Sequence, residues 1–185
     1  MYKRQLRINT KNGFIEEIYR WNNDCWVEII PGAPKVVGEQ IITIEDHDET
    51  RRVVIDGKAC SPEGIQIRSL IHCNDDGLLA TCNPSPLDQQ ICHVHMSGET
   101  TLITETAGIH EANANDSLMV IQHRSMDFNG VKTSFYKDNE LSNEIPDHSE
   151  TPNITLNSFF HKTGELDLET AILLPADHNG ETTLP

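Results

Sequence analysis

Aromatic side chains are scarce in this chain, at 5% of 185 residues, and bases are far fewer than acids, 14 against 29, for a formal net charge of −15. Each shortage excludes something. A surplus of carboxylates repels phosphate backbones and anionic lipid, and the only basic clustering is Lys3, Arg4 and Arg7, so neither nucleic acid nor a membrane surface fits as a partner. No run approaches the ~20 apolar residues that span a bilayer, and the start MYKRQLRINTKNG lacks the apolar stretch of a signal peptide. QLRINT already reads as a strand, so the native N-terminus is expected to lie upstream. The cysteines, Cys25, Cys60, Cys73, Cys82 and Cys92, are odd in number and form no C-x-x-C pair. They read as free thiols, which suits a cytoplasmic location.

What is present is strand. The 37% apolar content supports only a modest core, yet it is gathered into short runs, which argues against disorder. QLRIN, FIEEIYRW, WVEII, QIITIE, RRVVID, LLATC, QICHVHM, TTLIT, SLMVIQ, KTSFYK, ITLNSFF and ETAILL are β-rich segments bounded by turn residues. Asp56-Gly57, Asp76-Gly77, Ser97-Gly98, Asp138-Asn139 and Thr163-Gly164 stand where hairpins need tight reversal. No convincing helix remains.

Repetition orders these strands. VVGEQIITIEDHDETRRVVIDGK, CNDDGLLATCNPSPLDQQICHVHMSGE and ANDSLMVIQHRSMDFNGVKTSFYKDNE share one order of strand, polar loop, strand and tight turn. Their closing turns at Gly57, Gly98 and Asn139 recur at roughly 40 residues, the period of a four-stranded propeller blade. A sandwich of hairpins is the alternative on period alone. The expected fold is all-β: a trailing hairpin (Gln5 to Trp21), blades near Trp26 to Gly64, Ile65 to Gly108 and Ile109 to Glu150, then a β-hairpin after Pro152. So few blades form a partial β-propeller with exposed strand edges, because closed ones use about four to eight.

Four segments carry a resemblance: WVEIIPGAP, DHDETRRVVIDGK, CNPSPLDQQICHVHM and, most specifically, ETPNITLNSFFHKTGELDLETAILLP. They are similar to the prolyl oligopeptidase superfamily of serine peptidases, and within it to the dipeptidyl peptidase IV branch, along nearly the whole chain. In that family such a last hairpin begins the α/β-hydrolase domain, and a strand with an oxyanion-stabilising Tyr in a Y-G-G-P type motif follows shortly after. The resemblance therefore implies a partial β-propeller over 1–150 and, over 151–185, the first hairpin of a truncated hydrolase domain. It implies a parent enzyme that releases N-terminal dipeptides by a Ser, Asp and His triad, with the propeller gating and binding peptide substrate. The missing hydrolase domain would be this chain's own partner, and the resemblance admits a homodimer of the parent.

No catalytic residue is expected in this chain. A nucleophile elbow needs G-x-S-x-G, and Ser97 before Gly98 has His95 where the first Gly should stand. The family's acidic pair for the substrate amino group lies upstream, in a W-W-S-P neighbourhood not found here, and Glu16-Glu17 read as solvent-facing. A loop after a Trp-Val pair faces the pocket in the family, which maps substrate contact onto Glu28, Ile29 and Ile30, although family members can place Arg and aromatic side chains there. Alternation in WVEII equally describes a half-buried strand of blade core and rim. His93 and His95 share a strand face without a third ligand, and Asp46, Asp48 and Glu49 lack the order of a calcium loop and have Arg51 and Arg52 beside them. No metal and no cofactor is expected. Trp21 and Trp26 are expected to pack between blades. A stand-alone β-propeller-like module that binds another protein is the reading from a different class.

Overall fold

The computed structural model describes residues 1–153, 156–176 and 178. All regular structure among them is strand, and the strands fall into units that follow the chain. An N-terminal hairpin pairs β1 (Tyr2–Ile8) with β2 (Ile15–Asn22). The first four-stranded sheet runs in chain order through β3 (Lys35–Val37), β4 (Gln40–His47), β5 (Thr50–Ile55) and β6 (Lys58–Ala59). The second repeats that order in β7 (Gln66–Cys73), β8 (Gly77–Ser85), β9 (Asp88–His95) and β10 (Thr100–Leu102). The third comprises β11 (Ile109–Ala114), β12 (Leu118–Arg124), β13 (Lys132–Lys137) and β14 (Glu140–Ile145). One parallel register pair, Ile109 with Gln89, joins the third sheet to the second. Among the described residues the last hairpin, β15 (Leu156–Thr163) and β16 (Leu168–Pro175), pairs only with itself.

This is an all-β, partial propeller-like fold with no closed barrel among the described residues. Its tight reversals stand where the sequence placed them. Asp138 and Asn139 both take positive φ, 50° and 66°, between β13 and β14, a conformation that Asp and Asn tolerate better than most residues and that matches strand twist.

The core is concentrated in the first two sheets. Ile42, Ile44 and Val53 of the first meet Ile67, Leu70, Leu78, Val94 and the buried Cys82 and Cys92 of the second. The third sheet adds Met119 and Ile121 and is otherwise thinly covered, and every residue of β14 is exposed. All five cysteines are free thiols.

Some expected details differ. Trp26–Ile30 is not a strand but part of an irregular segment, and β3 opens the first sheet instead. The segment cannot alternate, because Val27 and Ile30, three apart, are both buried while Ile29 is 72% exposed. Trp26 is 61% exposed and does not pack between blades. The carboxamide oxygen of Asn23 accepts hydrogen bonds from the backbone N–H groups of Cys25 (2.8 Å) and Trp26 (3.2 Å), which turns the chain before a strand can begin. The short or irregular strands β3, β6, β7, β11 and β14 are additions to the expected set. Ile154 and Thr155, expected at the start of the last hairpin, and residues 177 and 179–185 lie outside the described residues.

Candidate functional site

The expected substrate-facing residues, Glu28, Ile29 and Ile30, line a cleft of about 200 Å³ together with Gln5, Tyr19, Trp21 and Thr43. Its walls are the N-terminal hairpin, strand β4 and the segment between β2 and β3. That segment is pinned at its far end, where the carbonyl of Pro31 accepts a 2.9 Å hydrogen bond from the N–H of Leu70 on β7. Gly32 follows at φ 80°, where a Cβ would collide with the Leu70 carbonyl, so only glycine allows the segment to lie this close. The three residues play different parts. Ile30 is buried in the core and fixes the segment, while Glu28 and Ile29 present their side chains to solvent.

At the rim the charge of Glu28 is paired. Arg51 donates from Nη2 to Glu28 Oε2 at 2.7 Å and from Nε to Asp46 Oδ1 at 2.9 Å, which holds the Glu28 carboxylate at the rim. Deeper in the wall, Glu45 is 3% exposed at the end of the buried run from Ile41 in β4. Tyr19 Oη donates to its Oε1 at 2.7 Å, and the Thr43 hydroxyl reaches the same oxygen. Burial, reinforced by the Glu45 carboxylate, pushes the Tyr19 phenol up to about 12. The network ties β2 to β4, so one wall of the cleft is braced through a buried acid. A carboxylate closing the strand-like run QIITIE was the sequence signal for it, but its partner 26 residues away was not.

The other candidates do not assemble. His95 Nδ1 lies 3.0 Å from Ser97 Oγ and accepts the Ser97 N–H at 3.2 Å, the geometry of a tight turn on an exposed surface. No third group among the described hydrogen bonds orients that imidazole as a catalytic base requires. His93 faces a separate cleft of about 510 Å³, where His72 Nε2 meets Asp116 Oδ1 at 2.9 Å. Asp48 occupies the β4–β5 turn at φ 54°. Among the described residues no three His, Cys, Asp or Glu side chains come together as metal ligands would. Glu16 pairs with Arg7 at 3.2 Å and Glu17 with Arg20 at 2.7 Å on the exposed hairpin.

One further pair was not singled out in the sequence. His110 and His123, opposite each other on β11 and β12, stack at 4.0 Å with an interplanar angle of 13°.

Neither a protein-family model nor a curated protein matches the sequence. Among solved structures, the chain is similar to the crystal structure of Porphyromonas gingivalis dipeptidyl peptidase 4, with a TM-score of 0.69 at 12% sequence identity. The match covers 91% of this chain and 27% of that one. At this identity the likeness speaks to fold, and it places the three successive sheets described above in a partial propeller-like arrangement similar to that of a dipeptidyl peptidase 4.

Proposed function

We propose that this chain is the propeller region of a serine exopeptidase of the dipeptidyl peptidase IV type, contributing a wall of the peptide-binding site while a hydrolase domain contributes the chemistry. The observation that carries this reading is the similarity in fold to a dipeptidyl peptidase 4 across 91% of the chain. In the proposed division of labour, residues 1–150 are the propeller part and the hairpin β15–β16 belongs to the start of the hydrolase domain. A Ser attacks the scissile carbonyl, a His takes its proton and an Asp orients the His, all outside this chain. Glu28 and Ile29 contact peptide from the rim of their cleft, and Ile30 holds them in place.

The test begins with the native coding sequence beyond Pro185. The reading expects a Y-G-G-P type motif and a G-x-S-x-G elbow there. The 185-residue chain is expected to release nothing from a chromogenic Gly-Pro substrate, and the longer protein to cleave it. A native stop codon directly after Pro185, or a longer protein inert toward that substrate, would overturn the peptidase reading in favour of a stand-alone protein-binding module.

A further inference from the structure

Strand β7 is out of step with its neighbour. Ile67 faces Cys82 and Ser69 faces Thr81, so Arg68 is an extra residue with no register partner on β8. A second extra residue, Ile71, follows between Leu70 and His72. Bulges of this kind interrupt the ladder and re-aim side chains, and they occur preferentially beside sites. What the first bulge presents is an exposed guanidinium.

Arg68 differs from the chain's other arginines. Arg4, Arg7, Arg20, Arg51, Arg52 and Arg124 each form an ion pair with a carboxylate, and Arg68 forms none among the described residues. In a chain of 29 acids against 14 bases, an arginine without a carboxylate stands out. It lines a cleft of about 560 Å³ between β7 and β11, whose walls carry the amides of Asn113 and Gln122 and the hydroxyls of Ser69 and Thr81, which bond each other at 2.6 Å. The one acid on that wall, Glu111, is engaged by Arg124 at 2.9 Å. The cleft therefore has one guanidinium without a carboxylate partner, in a mixed lining that also holds Ala112 and Val120. Pro31, next in the chain to Ile30, forms part of the same lining, so the segment carrying Glu28 and Ile29 separates this cleft from theirs.

We propose that Arg68 is a carboxylate-binding residue that anchors a peptide in the cleft between β7 and β11 by the terminal or side-chain carboxylate of that peptide. The inference deepens the peptide-handling reading given above and rests on it for the class of ligand. A planar guanidinium fork matches a carboxylate with two parallel hydrogen bonds. The neighbouring carboxamides of Asn113 and Gln122 suit the N–H and C=O groups of an extended peptide. A polyanion is disfavoured, since the net charge of −15 repels it while one guanidinium compensates one charge.

The experiment uses the 185-residue chain and three probes: acetyl-Ala-Gly-Gly as the free acid, the same peptide as its C-terminal amide, and inorganic phosphate. The Arg68 Nε–H resonance is followed by ¹⁵N NMR. The free acid should shift it saturably and the amide should not. Arg68→Gln should weaken binding of the acid at least about tenfold, as loss of a charge-assisted hydrogen bond does, with Arg68→Lys between the two. Equal responses to acid and amide, an unmoved Arg68 signal, or tighter binding of phosphate than of the acid would overturn the proposal. If Arg68→Gln fails to fold, the comparison of acid with amide on the unaltered chain still decides. The peptidase reading is judged separately by the longer protein's activity, so either idea can fail while the other stands.

Discussion

His110 is 3% exposed, a rare position for a side chain that titrates near neutrality. Its Nδ1 lies 3.1 Å from the Gln89 carbonyl and its Nε2 3.2 Å from the Thr106 hydroxyl, a set satisfied by the neutral ring with its proton on Nδ1. Burial pushes its pKa below the ordinary histidine value; the Gln89 carbonyl and Asp88 oppose the shift, and His123 adds to it. The other neighbours are Phe128, edge-on to His123 at 5.1 Å with Lys132 over its face, and the Arg124–Glu111 pair. The unfolded chain takes up this proton near pH 6.5, and the folded one only at lower pH. Stability from this group is thus complete above about pH 6.5 and falls as pH drops toward the folded pKa. Urea midpoints should decrease from pH 7.5 to pH 5.5, and His110→Gln should flatten that slope. An unchanged slope in the variant would assign the acid sensitivity to other groups.

At the scale of single elements, what was legible depended on period. β4, β5, β8 and β9 announce themselves because β-branched or apolar residues fill them between turn signals. β7 does not, because its two bulges put Ile67 and Leu70, three apart, into the same core and erase the alternation. Trp26–Ile30 erred the other way, since its alternation is real in letters but Asn23 turns the backbone first. Position in the core, rather than hydrophobicity, should therefore set the cost of substitution. Ile67→Ala removes a fully buried side chain and should cost about 2–5 kcal/mol. Trp26→Ala, though larger, should stay within about 0.5 kcal/mol, both read by denaturant unfolding. Among the described residues the hairpin β15–β16 pairs with no other strand, and it leaves Phe159, Phe160, Leu168 and Leu173 exposed. A lone hairpin is marginal in water, so its amides from Phe159 to Leu174 should exchange well before those from Ile41 to Ile44. Equal protection would mean that the hairpin is integral to the propeller-like body.

For the whole molecule, order was easier to read than depth. The repeat placed the unit boundaries near Gly64 and Gly108, and the structure puts the gaps between sheets at those points, after Ala59 and after Leu102. The candidate site was legible only in part. Glu28 and Ile29 emerged through resemblance, whereas the brace of Tyr19, Thr43 and Glu45 depends on a contact between distant strands that no local pattern encodes. Arg68 was hidden for the same reason as its strand, because a bulge is a property of two strands and not of one.

The second and third sheets share a single ladder position, Ile109 beside Gln89. Mechanically, that makes the body a row of plates, laced at this seam by one ladder pair and a small knot of bonds from Asp88 and Gln89 to Gly108 and His110. Tension applied along the chain would concentrate there, and the thinly covered third plate could peel away while the first two, welded by a common core, kept their shape. Rupture would then proceed from the C-terminal side, the hairpin β15–β16 opening before the seam beside Gly108 gives way.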